Sequence, residues 1–351
     1  MIEKFRYDVT VAGAGPAGSV LAYELARRGV KVLLLEKNTI PRRKVCAGGI
    51  TVRAASLLPR PIDSVVEGVI YGARLSYNKV PKKIRTYESP IIYTVRRDKF
   101  DFLLASLARE AGVMVKESSE VKNVEINKDI VKVKTESETF SAPVVVGADG
   151  ANSVVVQSLG LGKGFRYGLG VNGDIEVTSK ELLNWENLIG LDYGMFGGYS
   201  WVFPKSTCLS IGSGGSFRVA RRLRPYVMGL MKSYGLINVD GNLIRGHLMP
   251  VRKATAPISR NRILLVGDAA GLIDPLTGEG IYYALRSSYL AVSAILSLLE
   301  GKSADLSEYD EAVNREFGKE FKIAQTLREM NSLAPWLTRL WAKRCRAYQP
   351  S

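Results

Sequence analysis

The chain has 351 residues, 46% of them apolar, a size beyond the usual single core and a composition that suits a globular protein of two domains. Its 49 basic and 34 acidic residues give a net charge of +15, which favours a polyanionic partner: nucleic acid, an acidic membrane or a phosphorylated substrate. No run of 18 uninterrupted apolar residues occurs, three cysteines make no disulfide framework and fit a reducing cytoplasm, and the single histidine, His247, gives no basis for a metal site or a triad.

In chain order, residues 7–12 read as a buried strand, so close to the N-terminus that no leader is expected. Gly13-Ala14-Gly15-Pro16-Ala17-Gly18 follows and opens a helical pattern over residues 19–28. Gly13 permits the tight turn, Gly15 lets the backbone approach phosphates, and Gly18 lets helix and strand pack closely. The helix N-terminus then offers N–H groups and a positive dipole end to a pyrophosphate. A second strand over residues 31–35 ends at Glu36, placed to accept hydrogen bonds from a ribose hydroxyl, with Lys37 beside it. Strand, turn, helix, strand and acid in that order predict a dinucleotide site lined by Gly13, Gly15, Ala17, Gly18, Glu36 and Lys37.

Arg42, Arg43 and the loop Lys44-Val45-Cys46-Ala47-Gly48-Gly49 come next, then strand-like residues 69–93 and the helix start Arg96-Arg97-Asp98-Lys99-Phe100-Asp101. Residues 121–126 and 130–134 form a strand pair around Asn127-Lys128-Asp129, a short hairpin turn. A third strand leads into Gly147-Ala148-Asp149-Gly150-Ala151-Asn152-Ser153. Residues 168–249 are rich in strands and broken by a helix over 218–234. Within them, Gly197-Gly198-Tyr199-Ser200-Trp201-Val202-Phe203-Pro204-Lys205 puts Tyr199, Trp201 and Phe203 on one strand face. On its own, that face reads as ordinary sheet core. Residues 263–266 form a strand, followed by Gly267-Asp268-Ala269-Ala270-Gly271, Pro275, Gly278-Glu279-Gly280 and a helix over 280–299. The remainder is helical, over 305–330 and 333–347.

The Gly267–Gly271 and Asp149-Gly150 segments, taken with the first glycine motif, resemble the p-hydroxybenzoate-hydroxylase-like flavoprotein superfamily. The resemblance implies FAD as cofactor, with Asp268 on the ribityl chain. It also implies that the helix after Gly267, Gly278, Gly280 and Ile281 aims its N-terminus at the flavin's pyrimidine edge, where reduction accumulates negative charge. Asp149 and Gly150 fall near the cofactor, and Arg97 matches the superfamily's Arg-x-x-Phe-Asp helix start.

Two further segments narrow this. Gly198-Tyr199-Ser200-Trp201-Val202-Phe203-Pro204-Lys205 is similar to the Gly-x-x-Trp-x-Phe-Pro-Lys signature of the geranylgeranyl reductase family, and Lys44 to Gly49 resembles that family's Cys-containing glycine-rich loop. Ala47 before the paired glycines makes the second match loose. In archaea such proteins saturate the isoprenoid chains of membrane lipids; relatives in photosynthetic organisms act on chlorophyll side chains or geranylgeranyl diphosphate. The implied activity is hydride transfer from reduced flavin to an isoprenoid C=C bond, with a proton to the other carbon. Cys46, Tyr199 and Trp201 are the candidate catalytic residues. Tyr199, Trp201, Phe203, Pro204 and Lys205 are the candidate substrate contacts, and Arg43, Cys46, Ala47 and Gly48 are expected beside the cofactor. Lys205 or the Arg42-Arg43-Lys44 run would hold a phosphate headgroup. The substrate is an isoprenoid lipid or prenyl diphosphate, and the reductant is ferredoxin, NADPH or another carrier.

The expected architecture is α/β with α+β character. A discontinuous Rossmann-like FAD domain spans 1–65, 95–165 and 255–300; an antiparallel-sheet substrate domain spans 66–94 and 166–254; a helical tail spans 301–351. In the tail, Leu333, Trp336, Leu337, Leu340 and Trp341 share one helical face with basic residues around them. That face either rests on an anionic membrane or packs on the FAD domain. The protein is expected in the cytoplasm, at the inner membrane face if the tail binds lipid, and no nucleic-acid module is seen. Two other functions fit the superfamily: a flavin monooxygenase or halogenase, and an electron-transfer flavoprotein without an organic substrate.

Overall fold

The structure is a computed structural model that describes residues 6–253 and 256–333. A six-stranded sheet runs in the order Ser259–Arg260, Ile263–Leu265, Val144–Gly147, Val9–Ala12, Val32–Leu35, Met114–Lys116. Its strands are parallel except for the two-residue edge strand. Val9, Val11, Leu33, Leu34, Val145 and Leu264 are buried, the continuous apolar run expected of a sheet covered on both faces. Helices Pro16–Ala26, Arg97–Glu110 and Ile281–Leu299 pack together at this sheet. A three-stranded antiparallel sheet, Asn123–Asn127, Ile130–Lys134 and Thr139–Ala142, is part of the same core.

The first helix begins at Pro16, three residues before the apolar periodicity indicates, because proline at the first helical position has its φ already set and lacks an N–H that would go unbonded. Helix Ile281–Leu299 is long and apolar enough to cross a membrane by length and composition. It instead lies in the core, where Tyr283, Leu285, Ala291 and Ile295 are fully buried. Ser288 donates to the Ala17 carbonyl at 2.8 Å, tying it to the first helix. The helix Ser307–Leu333 covers its other side, with Tyr283 edge-on to Phe317 and Phe321.

A seven-stranded sheet forms the second half: Arg245–Val251, Arg166–Glu176, Cys208–Ser216, Gly198–Pro204, Leu188–Asp192, Gly72–Tyr77, Val80–Thr86. The two stretches 72–86 and 166–251 therefore build one sheet, joined by the parallel pair Leu188–Asp192 and Gly72–Tyr77. Helix Ala220–Ser233 covers one face, burying Leu223, Val227, Leu230 and Met231 against Val171, Val202, Leu209 and Ile211. The opposite face looks toward the first half. A small sheet of Gly49–Thr51, Ile92–Val95 and Val66–Ile70 adjoins it; the strand following Gly49 is not apparent in the sequence. The apolar stripe at 336–341 lies outside the described residues.

Candidate active site

The turn after the first strand is built for close approach. Gly13 has φ +103°, and a Cβ there would lie 2.4 Å from the Ala148 carbonyl oxygen. A Cβ at Gly18 would meet the Gly13 carbonyl at 2.0 Å, so helix and turn touch backbone to backbone. At Gly15, by contrast, the nearest atom is an Arg42 guanidinium nitrogen at 3.9 Å, leaving open space above the helix N-terminus. Glu36 is buried at the end of its strand and accepts from Ala14 N–H at 3.1 Å. Open space at the N-terminus, a cation facing it and a buried carboxylate beside it fit the pyrophosphate and ribose of a dinucleotide.

Arg42 holds this end. Its guanidinium lies 3.2 Å from Glu36 and 2.9 Å from Asp101, and Asp101 is also gripped by both Arg97 Nε and Nη2, at 2.8 and 3.0 Å. Cys46 lies near enough to add to the charge stabilisation that Asp101 gives the Arg97 guanidinium. Arg43, the expected cofactor contact, is exposed, as is Lys37. Arg42 points inward because Glu36 and Asp101 both face it, and Asn38, not Lys37, donates to Glu36.

Asp149 accepts from the N–H groups of Val154 and Val155 at 2.7 and 3.3 Å, capping the short helix Val154–Ser158, while its buried Oδ1 has no partner. Burial pushes its carboxyl above the usual range despite these bonds. Gly150 has φ +78°, and a Cβ there would lie 4.0 Å from Lys44 Nζ.

Asp268 begins the turn before helix Ile281–Leu299. Lys44 Nζ lies 2.9 Å from His247 Nε2, which lies 3.6 Å from Asp268 Oδ2. Burial would raise the Asp268 carboxyl; attraction from His247 and Lys44 outweighs it and holds it low. Burial lowers the Lys44 ammonium against the pull of Asp268. Lys44 thus sits beside His247 and Asp268. His247, set aside as a lone histidine, reaches this cluster because its strand pairs it with Gly170 on the cleft face.

The loop Asp274–Gly280 is tightly braced. Asp274 accepts from the N–H groups of Leu276 and Thr277 at 2.9 and 2.6 Å. Glu279 is bonded by Thr51 Oγ1 at 2.6 Å and paired with Arg53, whose guanidinium stacks 4.1 Å from the Tyr282 ring centroid. Arg53 carries no recognisable sequence signal, and Glu279 stands in the Gly278-Glu279-Gly280 segment with no role evident there.

Facing this loop, Tyr199, Trp201 and Phe203 are half-buried along the cleft side of strand Gly198–Pro204, while Ser200, Val202 and Pro204 point away and are buried. The aromatic row is therefore not the sheet's packed core. Pro204, an expected substrate contact, lies on the other face. Trp201 lies across glycines: a Cβ at Gly212 would fall 2.4 Å from its ring and one at Gly214 3.2 Å. Its indole N–H donates to Asn172 Oδ1 at 2.8 Å, so Trp201 is a held wall rather than a proton carrier. Asn172, missed in the sequence, donates in turn to Ser210 and to the Cys46 carbonyl at 2.9 and 3.3 Å. Phe203 rests on Gly49, where a Cβ would come within 2.6 Å of the ring. The Cys-containing loop and the aromatic strand, far apart in sequence, are thus in direct contact.

Tyr199 stacks on Tyr193 at 6.0 Å, and its hydroxyl donates to the Thr277 carbonyl. Burial raises the phenol well above its ordinary value, so it keeps its proton. Cys46 is half-buried, with Gly48 N–H on its sulfur at 3.4 Å; Ala47 is half-buried beside it. Lys205 is buried and pairs with Asp174 at 3.0 Å, which compensates its charge and removes it as a free headgroup anchor.

A family model described as an FAD binding domain matches residues 6–181. The chain is 30% identical to the digeranylgeranylglycerophospholipid reductase of Methanocaldococcus jannaschii, over 90% of this chain and 82% of that one. It is also 30% identical to the geranylgeranyl diphosphate reductase of Rhodobacter capsulatus, over 92% and 84%. Among solved structures it is similar to a geranylgeranyl bacteriochlorophyll reductase-like protein of Thermoplasma acidophilum, with TM-score 0.83, 26% identity and coverage of 93% and 87%. It shares its fold with the myxobacterial chondrochloren halogenase, with TM-score 0.70, 24% identity and coverage of 90% and 81%.

Proposed function

Since the chain belongs to the geranylgeranyl reductase family of FAD-binding oxidoreductases, we propose that it saturates C=C bonds in the isoprenoid chain of a membrane lipid or its prenyl diphosphate precursor. The observation that carries this reading is the aromatic face of Tyr199, Trp201 and Phe203, set against the cofactor cradle and locked there through Asn172. FAD, once bound and reduced, supplies the hydride. The chain's own residues bind, orient and protonate.

A branched hydrocarbon offers no hydrogen bonds, so its affinity comes from area, about 25 cal/mol per Å² removed from water. A wall of three rings, two of them seated on glycines, supplies that area. An isolated alkene also lacks a carbonyl to activate it, so the site must fix its position and exclude water. The bonds around Trp201 and the braced Asp274–Gly280 loop provide that rigidity. The Cys46 side chain near Arg97 and the Tyr199 phenol are the candidate proton donors. Either delivers a proton to the carbon opposite the hydride.

The experiment uses the flavin-loaded protein, reduced chemically under argon, with geranylgeranyl diphosphate in one arm and an unsaturated archaeal-type phospholipid in the other. Mass spectrometry should show gains in steps of two hydrogens, and the faster arm identifies the substrate. No gain in either arm, with oxygen or halogen incorporated only when air and halide are supplied, would overturn the reading.

A further inference from the structure

One surface outside the cleft has no part in the chemistry above. Residues 217–224 read Phe-Arg-Val-Ala-Arg-Arg-Leu-Arg, where strand Cys208–Ser216 passes into helix Ala220–Ser233. Val219 and Leu223 turn inward and are buried, which leaves Arg218, Arg221 and Arg222 exposed. None of the three has an ion-pair partner among the described residues. The first turn of the helix holds no acid either, so these cations crowd the positive end of its dipole. Local electrostatics disfavour that placement, and an external anionic surface would relieve it.

Two large aromatic side chains flank the arginines. Phe217 is 59% exposed and Phe196, in the hairpin before the aromatic strand, 47%. They belong to one edge, since Ser216 N–H donates to the Gly197 carbonyl at 3.2 Å. That edge is also where the aromatic row begins: Gly198 pairs with Gly215, and Tyr199 with Gly214. Leu276, 39% exposed, precedes the Thr277 whose carbonyl accepts the Tyr199 hydroxyl. Exposed apolar side chains ringed by unpaired cations, at the mouth of an apolar cleft, combine the two terms that hold a protein on an anionic bilayer. An acidic protein partner would use the arginines but would leave the paired phenylalanines unexplained.

We propose that this edge docks on an anionic lipid bilayer. Phe196 and Phe217 enter the boundary between headgroups and acyl chains, Arg218, Arg221 and Arg222 meet lipid phosphates, and the aromatic row opens toward the membrane. Only the idea that a prenyl chain then enters the cleft rests on the proposed function; the docking stands apart from it.

The test is co-sedimentation of the full, flavin-loaded chain with phosphatidylcholine vesicles, with and without phosphatidylglycerol, at low and high salt. Binding is expected only to the anionic vesicles and should weaken with salt. The triple variant R218Q/R221Q/R222Q should bind on the order of 100-fold more weakly, roughly fivefold per arginine. The double variant F196S/F217S, with charge unchanged, should also weaken binding. Both variants should keep the wild-type flavin spectrum and melt no lower than wild type, because the five side chains are exposed and the three cations sit unfavourably at the helix N-terminus. Absence of wild-type binding to anionic vesicles, or binding unaltered in both variants, overturns the proposal; the second result would place the contact elsewhere, residues 334–351 included. Intact vesicle binding without reduction of any prenyl substrate would leave the docking standing and sink the proposed activity.

Discussion

On the helix side of the seven-stranded sheet, Val171, Val202, Leu209 and Ile211 are at most 8% exposed and close on Leu223, Val227 and Leu230. On the cleft side, the same strands carry Gly170, Asn172, Gly212, Gly214 and the three aromatic rings, of which Trp201 is held by a hydrogen bond and a glycine floor. Strand alternation sends neighbouring residues to opposite faces, so a single stretch of chain serves both. The helix face gains stability from close packing. The cleft face gives up side-chain volume at Gly212 and Gly214, and the Trp201 ring lies in the room this leaves. A residue's contribution should therefore depend on its parity along the strand more than on its distance from the cofactor.

Substitutions on the two faces sharpen that contrast. Leu223→Ala, at a fully buried position, should cost about 2–5 kcal/mol of stability while the folded fraction keeps its turnover. Denaturant unfolding beside a per-flavin assay measures both, and a large loss of turnover in the folded fraction would break the division. Gly214→Ala should do the reverse. Its Cβ would lie 3.2 Å from the Trp201 ring and 3.3 Å from Met249, near enough to shift them by a few tenths of an ångström. The expected result is about a tenfold drop in kcat/KM for the prenyl substrate, with stability within about 1 kcal/mol of wild type.

The smallest effect concerns Cys208, buried at the far end of the cleft face. Burial, then the nearby Asp174 charge, pushes its thiol from 9.0 up to about 11. Because the folded value is the higher one, the neutral thiol's contribution is complete below about pH 9 and is lost as pH rises through about 11. Stability should fall over that window by at most roughly 1.4 kcal/mol per pH unit. Cys208→Ala should flatten this slope in urea unfolding followed against pH. An unchanged slope would show that other groups carry it.

The parts legible in the sequence are those whose physics is local. The cradle around Gly13, Gly15 and Gly18 depends on a turn, a helix start and a strand end within thirty or so residues, and that pattern implies its own geometry. The aromatic face of Tyr199, Trp201 and Phe203 follows from alternation alone. The misses are decided by pairing across the fold. Arg42 and Arg43 are chemically alike, and only Glu36 and Asp101 determine which one turns inward. Lys205 ends a motif that suggests a free cation, yet Asp174 on another strand neutralises it. Asn172 and His247 are unremarkable polar residues until the register of their strands sets one against Trp201 and the other near Asp268.

The hydrogen bonds from Tyr199 to the Thr277 carbonyl and from Asn172 to the Cys46 carbonyl are among those that stitch the halves of the molecule together. Prising the halves apart would break both, at about 1 kcal/mol or more each and with polar groups left bare. Admission by hinge-like opening is therefore penalised. A slender, flexible guest that threads lengthwise between the stitches avoids that penalty, whereas a broad, rigid one incurs it in full.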